Sequence, residues 1–309
     1  MNAPQIARLL IAAMAVAAAG CANGTFPVPQ TTVANAAATR PLPFHFAKSG
    51  KTYQYVITGL TDGEAVQYDY PKSTQPTGRV ITGLNEPQGE CTTGKKAFWI
   101  VNSGNDDVVE FSYNANKQLR SLTETVSNPS MCAVSSKNGD VAVTFLGGSQ
   151  VIVFKGGQQS GETTYDLPGP PYFTGYDPKG NLFVDGLTAS GNVILLELAA
   201  GSSAFATVSL PNTLGFPGSV QWDGTYLAVT DQLSDDVYRY AIAKYVAALR
   251  GTVALSGASD CADTFTAQPY IFCSDAGKDA LNVYDYPAGG TSIATLSSSM
   301  PGSILQVTK

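Results

Sequence analysis

The chain has 309 residues, of which 44% are hydrophobic and 14% are charged, with 31 Gly and 18 Pro. This apolar fraction is large enough to build a core, which excludes a globally disordered protein. The 18 Lys and Arg against 24 Asp and Glu give a formal charge of −6, which argues against nucleic-acid binding through phosphate contacts. A single His excludes His-rich metal sites and most histidine-dependent catalysis.

Residues 1–20 have the pattern of an export signal. Arg8 gives the start a positive charge, and the apolar run Leu9–Val16 is followed by small residues. The run is too short for a membrane span, which needs about 20 apolar residues, so it predicts a signal peptide. Ala18-Ala19-Gly20-Cys21 resembles the bacterial lipobox, which implies acylation of Cys21 and anchoring to a membrane. The alternative is ordinary cleavage after Ala19, which leaves Cys21 as a free thiol.

Residues 21–49 are predicted to form a flexible tether. They contain four Pro, many Ala, Thr and Asn, and no sustained hydrophobic period. His45 falls in this segment and is interpreted as an incidental linker residue. The chemistry of the folded body therefore has to be carried by other residue types.

From Tyr53 onward, short β-type runs alternate with turn residues, and one pattern recurs. Ile100–Phe111, Val229–Tyr240 and Cys273–Tyr284 each contain a short apolar run, an Asn or Asp, a polar turn and an alternating strand. Successive copies are about 40–45 residues apart, the length of one four-stranded propeller blade. Residues 241–249 interrupt the pattern and are interpreted as a decorated loop between two strands.

A second signal is a Pro that opens an inner strand before most copies. It stands at Pro87, Pro129, Pro171 and Pro217. The segment from Pro301 copies this inner strand, whereas the chain enters the repeat at Tyr53 with a second strand. The terminal strand is therefore predicted to complete blade one and close the ring. Counting second strands predicts an all-β fold, a six-bladed propeller of four-stranded blades over residues 50–309.

The inner strand that begins Pro-x-Gly, the Asp or Asn after the second strand and the alternating third strand together resemble the NHL and gluconolactonase-like (senescence-marker) propellers. This superfamily includes lactonases, lyases, receptors and scaffolds, so the resemblance implies the fold and leaves the function open. A resemblance to the metal-dependent lactonases of this superfamily implies an Asn after the Pro of an inner strand. Here Pro217 and Pro301 are each followed by Gly-Ser.

Four cysteines remain after Cys21, an even number that predicts two disulfides in an oxidising compartment. Cys261 and Cys273 flank a predicted hairpin at similar distances from its centre, so they are expected to pair. Cys91 and Cys132 follow the inner-strand prolines by four and three residues, which predicts a bridge between adjacent inner strands. Thiol-dependent catalysis is the alternative for these cysteines.

Two sets of residues are candidates for a site. Glu90, Asp231 and Asp260 are the carboxylates that a divalent cation would need at the channel mouth, where it would polarise a lactone carbonyl. No other cofactor is expected. The aromatic residues of the inner strands are candidates either for lining a ligand channel or for filling space between blades. They are Tyr172, Phe173, Tyr176 and Trp222.

Polar residues recur at the end of each second strand. They are Thr58, Asn102, Thr144, Asp185, Asp231 and Asp275. A repeated position points to a repeated structural role, so these side chains are expected to hydrogen-bond the backbone of nearby turns. The alternative is that they gather at a metal site.

These observations lead to three hypotheses of function. The first is an exported, lipid-anchored and monomeric propeller of the periplasm or cell surface that binds a protein or small molecule without catalysis. The second is a metal-dependent lactonase-like hydrolase. The third is a structural envelope protein.

Overall fold

A computed structural model describes residues 53–59, 63–92, 97–113, 117–123, 127–297 and 301–308. Within these ranges the regular elements are β-strands and three short 3-10 helices, and no helix is long and apolar enough to cross a membrane. The predicted signal peptide at 1–20, the tether at 21–49, Cys21 and His45 lie outside the described residues.

The strands, numbered in chain order, form six sheets within the described ranges. The first sheet contains β1 (Tyr53–Gly59), β2 (Ala65–Tyr68), β3 (Pro76–Ile81) and the C-terminal strand β25 (Pro301–Thr308). The second contains β4 (Pro87–Cys91), β5 (Ala97–Asn102), β6 (Asp107–Ser112) and β7 (Lys117–Thr123). The third contains β8 (Pro129–Val134), β9 (Val141–Phe145), β10 (Gln150–Phe154) and β11 (Glu162–Asp166).

The other three sheets follow the same order. The fourth contains β12 (Pro171–Tyr176), β13 (Leu182–Leu187), β14 (Val193–Leu198) and β15 (Ala206–Val208). The fifth contains β16 (Val220–Trp222), β17 (Leu227–Asp231), β18 (Asp236–Ala243), β19 (Val246–Ser256) and β23 (Gly290–Thr291). The sixth contains β20 (Cys261–Ala267), β21 (Tyr270–Asp275), β22 (Ala280–Asp285) and β24 (Ala294–Ser297).

The first strands of successive sheets lie side by side. β4 contacts β8, β8 contacts β12, and β12 contacts β16, while β25 lies between β20 and β4. Such radial repetition of antiparallel sheets is a β-propeller, and the prediction of an all-β propeller is confirmed. We call β4, β8, β12, β16, β20 and β25 the inner strands.

The C-terminal strand belongs to the first sheet, as predicted. β25 pairs antiparallel with β1, with Tyr53 opposite Thr308 and Ile57 opposite Ile304. The pairing joins the two ends of the folded body and removes two strand edges that would otherwise be open.

The prediction of four strands in every blade is wrong for the fifth sheet. β23, which follows β22 in the chain, pairs in parallel with the end of β19, with Leu255 opposite Gly290. β19 is 11 residues long, so its far end offers an unpaired edge that this short strand covers.

The expected loop at residues 241–249 is also wrong. These residues complete β18 and begin β19, and Lys244 and Tyr245 form the turn with φ of 52° and 63°. Positive φ at both central residues is typical of a type I′ hairpin. The sequence hides this hairpin because neither residue is the Asn, Asp or Gly that usually marks such a turn.

The hydrophobic core lies between neighbouring sheets. Trp99 and Val108 of the second sheet pack with Val143 and Phe154 of the third. Every residue of β9 is buried, because this strand has a sheet on each side. This explains why the second strands are continuous apolar runs, whereas half-buried strands alternate.

Candidate ligand-binding site at the propeller axis

The inner strands enclose a cavity of about 330 Å³. Residues of β4, β8, β12, β16 and β20 line it, and two of its lining side chains, Glu90 and Asp263, are carboxylates that are each 5% exposed. Ligand pockets for small molecules are typically about 300–1,000 Å³. The cavity is therefore large enough for one compact molecule.

Two glycines allow the inner strands to come together around the cavity. A Cβ atom on Gly89 of β4 would lie 2.5 Å from the carbonyl oxygen of Ser130, and one on Gly175 of β12 would lie 2.1 Å from that of Val220. Both distances are far below van der Waals contact, so only glycine allows neighbouring inner strands this close approach.

Side chains join β16 to β20 where backbone pairing is absent. Ser219 Oγ donates to Asp263 and accepts a 2.5 Å hydrogen bond from the Thr264 amide. The Gln221 side chain accepts from the Thr266 amide at 2.7 Å and donates to the Thr266 carbonyl at 3.1 Å. These contacts hold the polar wall of the cavity in place, with Asp263 at its centre.

The sequence pattern did not reveal these polar residues as members of a site. Ser219 with Thr264 and Gln221 with Thr266 are each 45 residues apart, which is the repeat spacing. The sixth repeat lacks the inner-strand Pro, so only an alignment of the fifth and sixth repeats residue by residue would have placed them opposite each other.

Three of the four predicted channel aromatics reach the cavity. Phe173, Tyr176 and Trp222 line it, whereas Tyr172 packs edge-on against Phe216 with ring centroids 5.4 Å apart. Burial is the main cause that raises the pKa of Tyr176, so this phenol stays neutral and able to donate a hydrogen bond. Phe173 also belongs to the core between the fourth and fifth sheets, so it both lines the cavity and fills space between sheets.

Both predicted disulfides are confirmed. Cys91 and Cys132 are bonded with their Cα atoms 5.6 Å apart, and Cys261 and Cys273 with theirs 5.4 Å apart. The first bridge joins β4 to β8 in the wall of the cavity. Stable disulfides indicate an oxidising compartment outside the cytosol.

The predicted metal ligands are not brought together. Glu90 lies on β4, Asp231 ends β17, and Asp260 precedes β20. In the part of the chain that the structure describes, no group of three or more His, Cys, Asp or Glu side chains is placed to hold a metal ion. Glu90 and Asp231 belong to the second and fifth sheets, and Asp260 leads into the sixth.

Asp231 instead supports a loop. Its carboxylate accepts hydrogen bonds from the backbone amides of Gly215 at 2.7 Å, Phe216 at 3.0 Å and Leu233 at 3.0 Å. The loop that leads into β16 is thereby fixed to the end of β17. The interpretation of this repeated position as a turn-binding residue is confirmed.

Other members of the repeated set act in the same way. Asp185 accepts from the amides of Phe173 and Gly218, both at 2.8 Å, and so connects β12 to the segment before β16. Burial raises the pKa of Asp185 well above its usual range, while the two amide donors act in the opposite direction. Asn102 accepts from the Asn85 amide at 2.6 Å, and Thr144 donates to the Tyr172 carbonyl at 2.9 Å.

Comparison with known proteins supports the fold. No protein-family model matches the chain, and no curated protein matches it in sequence. A chain of a nidogen/laminin complex aligns with a TM-score of 0.65 at 12% identity, covering 83% of this chain and 98% of that one. A Bacteroides caccae protein of unknown function gives 0.64 at 13% identity, covering 84% and 100%.

A streptogramin B lyase aligns with a TM-score of 0.51 at 15% identity, covering 70% of each chain. These structures include a protein complex and a lyase. At such low identity the likeness shows the β-propeller fold alone, because one fold hosts many unrelated functions.

Proposed function

We propose that this protein is an exported, lipid-anchored propeller that binds a small molecule in its axial cavity without transforming it. In this proposal residues 1–20 are the signal peptide, residues 21–49 the tether acylated at Cys21, and residues 50–309 a monomeric propeller of the NHL and gluconolactonase-like kind. Each of the six sheets is one blade.

The axial cavity carries the proposal. Its wall combines acceptor oxygens from Glu90 and Asp263 with the aromatic surfaces of Phe173, Tyr176 and Trp222. Carboxylates accept strong hydrogen bonds from hydroxyl and ammonium groups, and aromatic faces favour flat or cationic groups. The expected ligand is therefore a compact molecule with hydrogen-bond donors at one end and an apolar body.

Binding is favoured over hydrolysis by the placement of the side chains. The lactonase-like alternative needs carboxylates that converge on one ion, and among the described residues Glu90, Asp231 and Asp260 do not form such a group. The two cysteines of the cavity wall, Cys91 and Cys132, are joined in a disulfide and are not nucleophiles. A purely structural envelope protein would leave the polar wall of the cavity without a role.

Ligand screening with a local reporter tests the proposal. Trp222 lines the cavity, so a panel of small amines, polyols and aromatic alcohols is titrated while thermal unfolding and Trp emission are followed. The emission of Trp222 is taken as the difference between the wild type and Trp222→Phe, because the chain also contains Trp99. Asp263→Asn is expected to weaken binding by roughly tenfold or more, since a hydrogen bond to a charged group contributes about 1.5–3 kcal/mol. Asp166→Asn, at an exposed position on β11, is the matched control and should bind normally.

Binding in this cavity would be contradicted if no compound changed the emission of Trp222 in a way that Asp263→Asn weakens. Release of a chemically altered product would instead favour the hydrolase alternative.

The lipid anchor has its own test. Cys21→Ser is expected to abolish acylation, detected by the mass of the N-terminal peptide, and to release the protein from the membrane fraction. Anchoring through one chain alone is marginal, so several acyl groups on Cys21 are expected in the native protein. Unchanged fractionation and mass in the Cys21→Ser variant would refute the anchor.

A further inference from the structure

One hairpin concentrates strongly exposed large apolar side chains. Among the described residues, five large apolar side chains are strongly exposed, and three of them lie where β18 turns into β19. They are Tyr245, Val246 and Leu249, with exposed fractions of 37%, 55% and 41%. Tyr245 and Val246 are neighbours at the turn, and Leu249 lies further along β19 on its other face. Soluble surfaces scatter exposed apolar residues singly, so neighbouring ones on a protruding turn mark a contact surface.

The hairpin extends beyond its own sheet. Tyr240 is the last residue of β18 that pairs with β17, opposite Leu227. The next three residues, ending at Ala243, pair only with β19. At about 3.3 Å per residue, the tip passes the end of β17 by roughly 10 Å.

The tip is held rigidly. The Ser209 amide donates to the Tyr245 carbonyl at 2.8 Å, and the Ala247 amide donates to the Ser209 carbonyl at 2.9 Å. Ala247 is 5% exposed, so one side of the hairpin packs on the fourth sheet near the tip, while the side chains of Tyr245 and Val246 stay exposed to solvent. The exposure is therefore built into the fold.

The charge at the tip is opposite in sign to that of the chain. Between residues 240 and 258 the only charged residues are Lys244 and Arg250, in a chain with a net charge of −6. Both side chains are exposed, and within the described residues neither forms an ion pair. A β-bulge at Arg250 places it beside Leu249 on the exposed surface.

We propose that this tip docks on an anionic lipid surface. Tyr245 and Val246 at the tip would enter the interfacial layer. Leu249 would lie nearer the headgroup level because it pairs with Tyr240 at the end of β17, and the cations Lys244 and Arg250 would contact lipid phosphates. Long basic side chains bury their stems in apolar surroundings while the charged end stays in water. Three apolar side chains are too few for a stable protein interface, which buries about 800 Å² on each partner.

The position of Tyr53, where β1 begins, is consistent with a lipid contact at the hairpin tip. β1 and β17 both stand second from the axis in their sheets, and propeller sheets repeat one orientation around the ring. β17 begins at Leu227, which pairs with Tyr240. The hairpin tip lies beyond this pair, so β17 begins at the end of the sheet where the tip lies. Tyr53, the first residue of β1, therefore lies at this same end of the propeller.

A Trp reporter at the tip tests the contact. The full chain carrying Tyr245→Trp is mixed with vesicles of phosphatidylcholine, with or without phosphatidylglycerol, and quenching by brominated lipid is measured after subtraction of the wild-type signal. Quenching is expected with phosphatidylglycerol and not without it. Leu119→Trp, at an exposed position on β7, is the control and should stay unquenched on both vesicles.

A second variant tests the charges. Adding Lys244→Gln and Arg250→Gln should lower the apparent vesicle affinity about 25-fold, since each cation near an anionic surface contributes roughly fivefold. The reporter is local, so insertion of the N-terminal segment by itself does not alter it. Absence of quenching at position 245, equal quenching at position 119, or indifference to loss of both cations would overturn the proposal.

Discussion

Arg239 donates a hydrogen bond of 2.6 Å from Nε to Oδ2 of Asp223, a carboxylate whose side chain is fully buried. The hydroxyl of Tyr286 donates to the same oxygen at 2.6 Å. The guanidinium lies 5.0 Å from the ring centre of Tyr226 and 5.3 Å from that of Tyr286. Since Tyr286 follows β22, this cluster fastens the fifth sheet to the sixth.

Loss of this guanidinium should be costly. Arg239→Ala leaves a buried carboxylate without its cation, and we expect a loss of about 3–5 kcal/mol in the free energy of unfolding, measured in urea. Lys72→Ala is the control, because the Lys72 side chain is 74% exposed in its contact with Asp69 and exposed pairs contribute little. Equal losses in the two variants would contradict the assigned role.

The same cluster predicts an acid-dependent loss of stability. Burial alone would raise the pKa of Asp223, but hydrogen bonds from Arg239 and Tyr286 outweigh it and lower the pKa below its usual value. The stability that this carboxylate contributes is therefore present above the unfolded pKa of about 3.9 and is lost as pH falls through the lower folded pKa. Asp223→Asn should remove this part of the acid dependence.

The close approach of inner strands predicts a large effect of one methyl group. Gly175→Ala places a Cβ atom 2.1 Å from the carbonyl oxygen of Val220, and we expect at least about 3 kcal/mol of destabilisation, since backbone has to shift. At Gly251 the nearest atom to an added Cβ is Cδ of Arg239 at 3.9 Å, an ordinary contact. Gly251→Ala should therefore change thermal unfolding little, and a comparable loss there would contradict the argument.

The two disulfides should differ in their contribution. They close loops with sequence separations of 41 and 12 residues, for which chain entropy predicts about 4 and about 3 kcal/mol. The double variant Cys91→Ala/Cys132→Ala is expected to lose more stability than Cys261→Ala/Cys273→Ala. The reverse order in urea denaturation would show that native packing outweighs loop closure.

A group of carboxyls between the fifth and sixth sheets predicts a second pH effect. Burial is the main cause that raises the pKa of Asp260, and the charges of Asp235 and Asp275 add to it. A carboxyl with a raised folded pKa lowers stability as pH rises from the unfolded pKa of about 3.9 through the folded value. Asp260→Asn should therefore stabilise the protein relative to wild type at neutral pH.

That advantage should shrink near about pH 4, where the wild-type carboxyl is protonated. Asp166→Asn, at an exposed carboxylate, is the control and is expected to show no such pH-dependent difference. A constant difference between Asp260→Asn and wild type across the pH range would show that the effect is not electrostatic.

Local sequence rules determined much of the architecture. A repeat of about 40–45 residues requires each unit to bury its faces against neighbours, so the buried second strands, the inner-strand prolines and the contribution of β25 to the first sheet were all predictable. The cysteines at 91 and 132 were also predictable, because equivalent positions in adjacent repeats become spatial neighbours.

Only the tertiary structure decided which side chains meet at the axis. Asp263 and Ser219 form the polar wall because β16 and β20 approach each other, whereas Asp231 is used by a loop that the pattern did not reveal. The β18–β19 hairpin extends past the end of β17, although its turn has no Asn, Asp or Gly. Its tip is held by hydrogen bonds with the backbone of Ser209, next to the neighbouring sheet. The sequence alone determined the repeat and its strands; contacts between units decided the site, since those contacts depend on distances that no local pattern encodes.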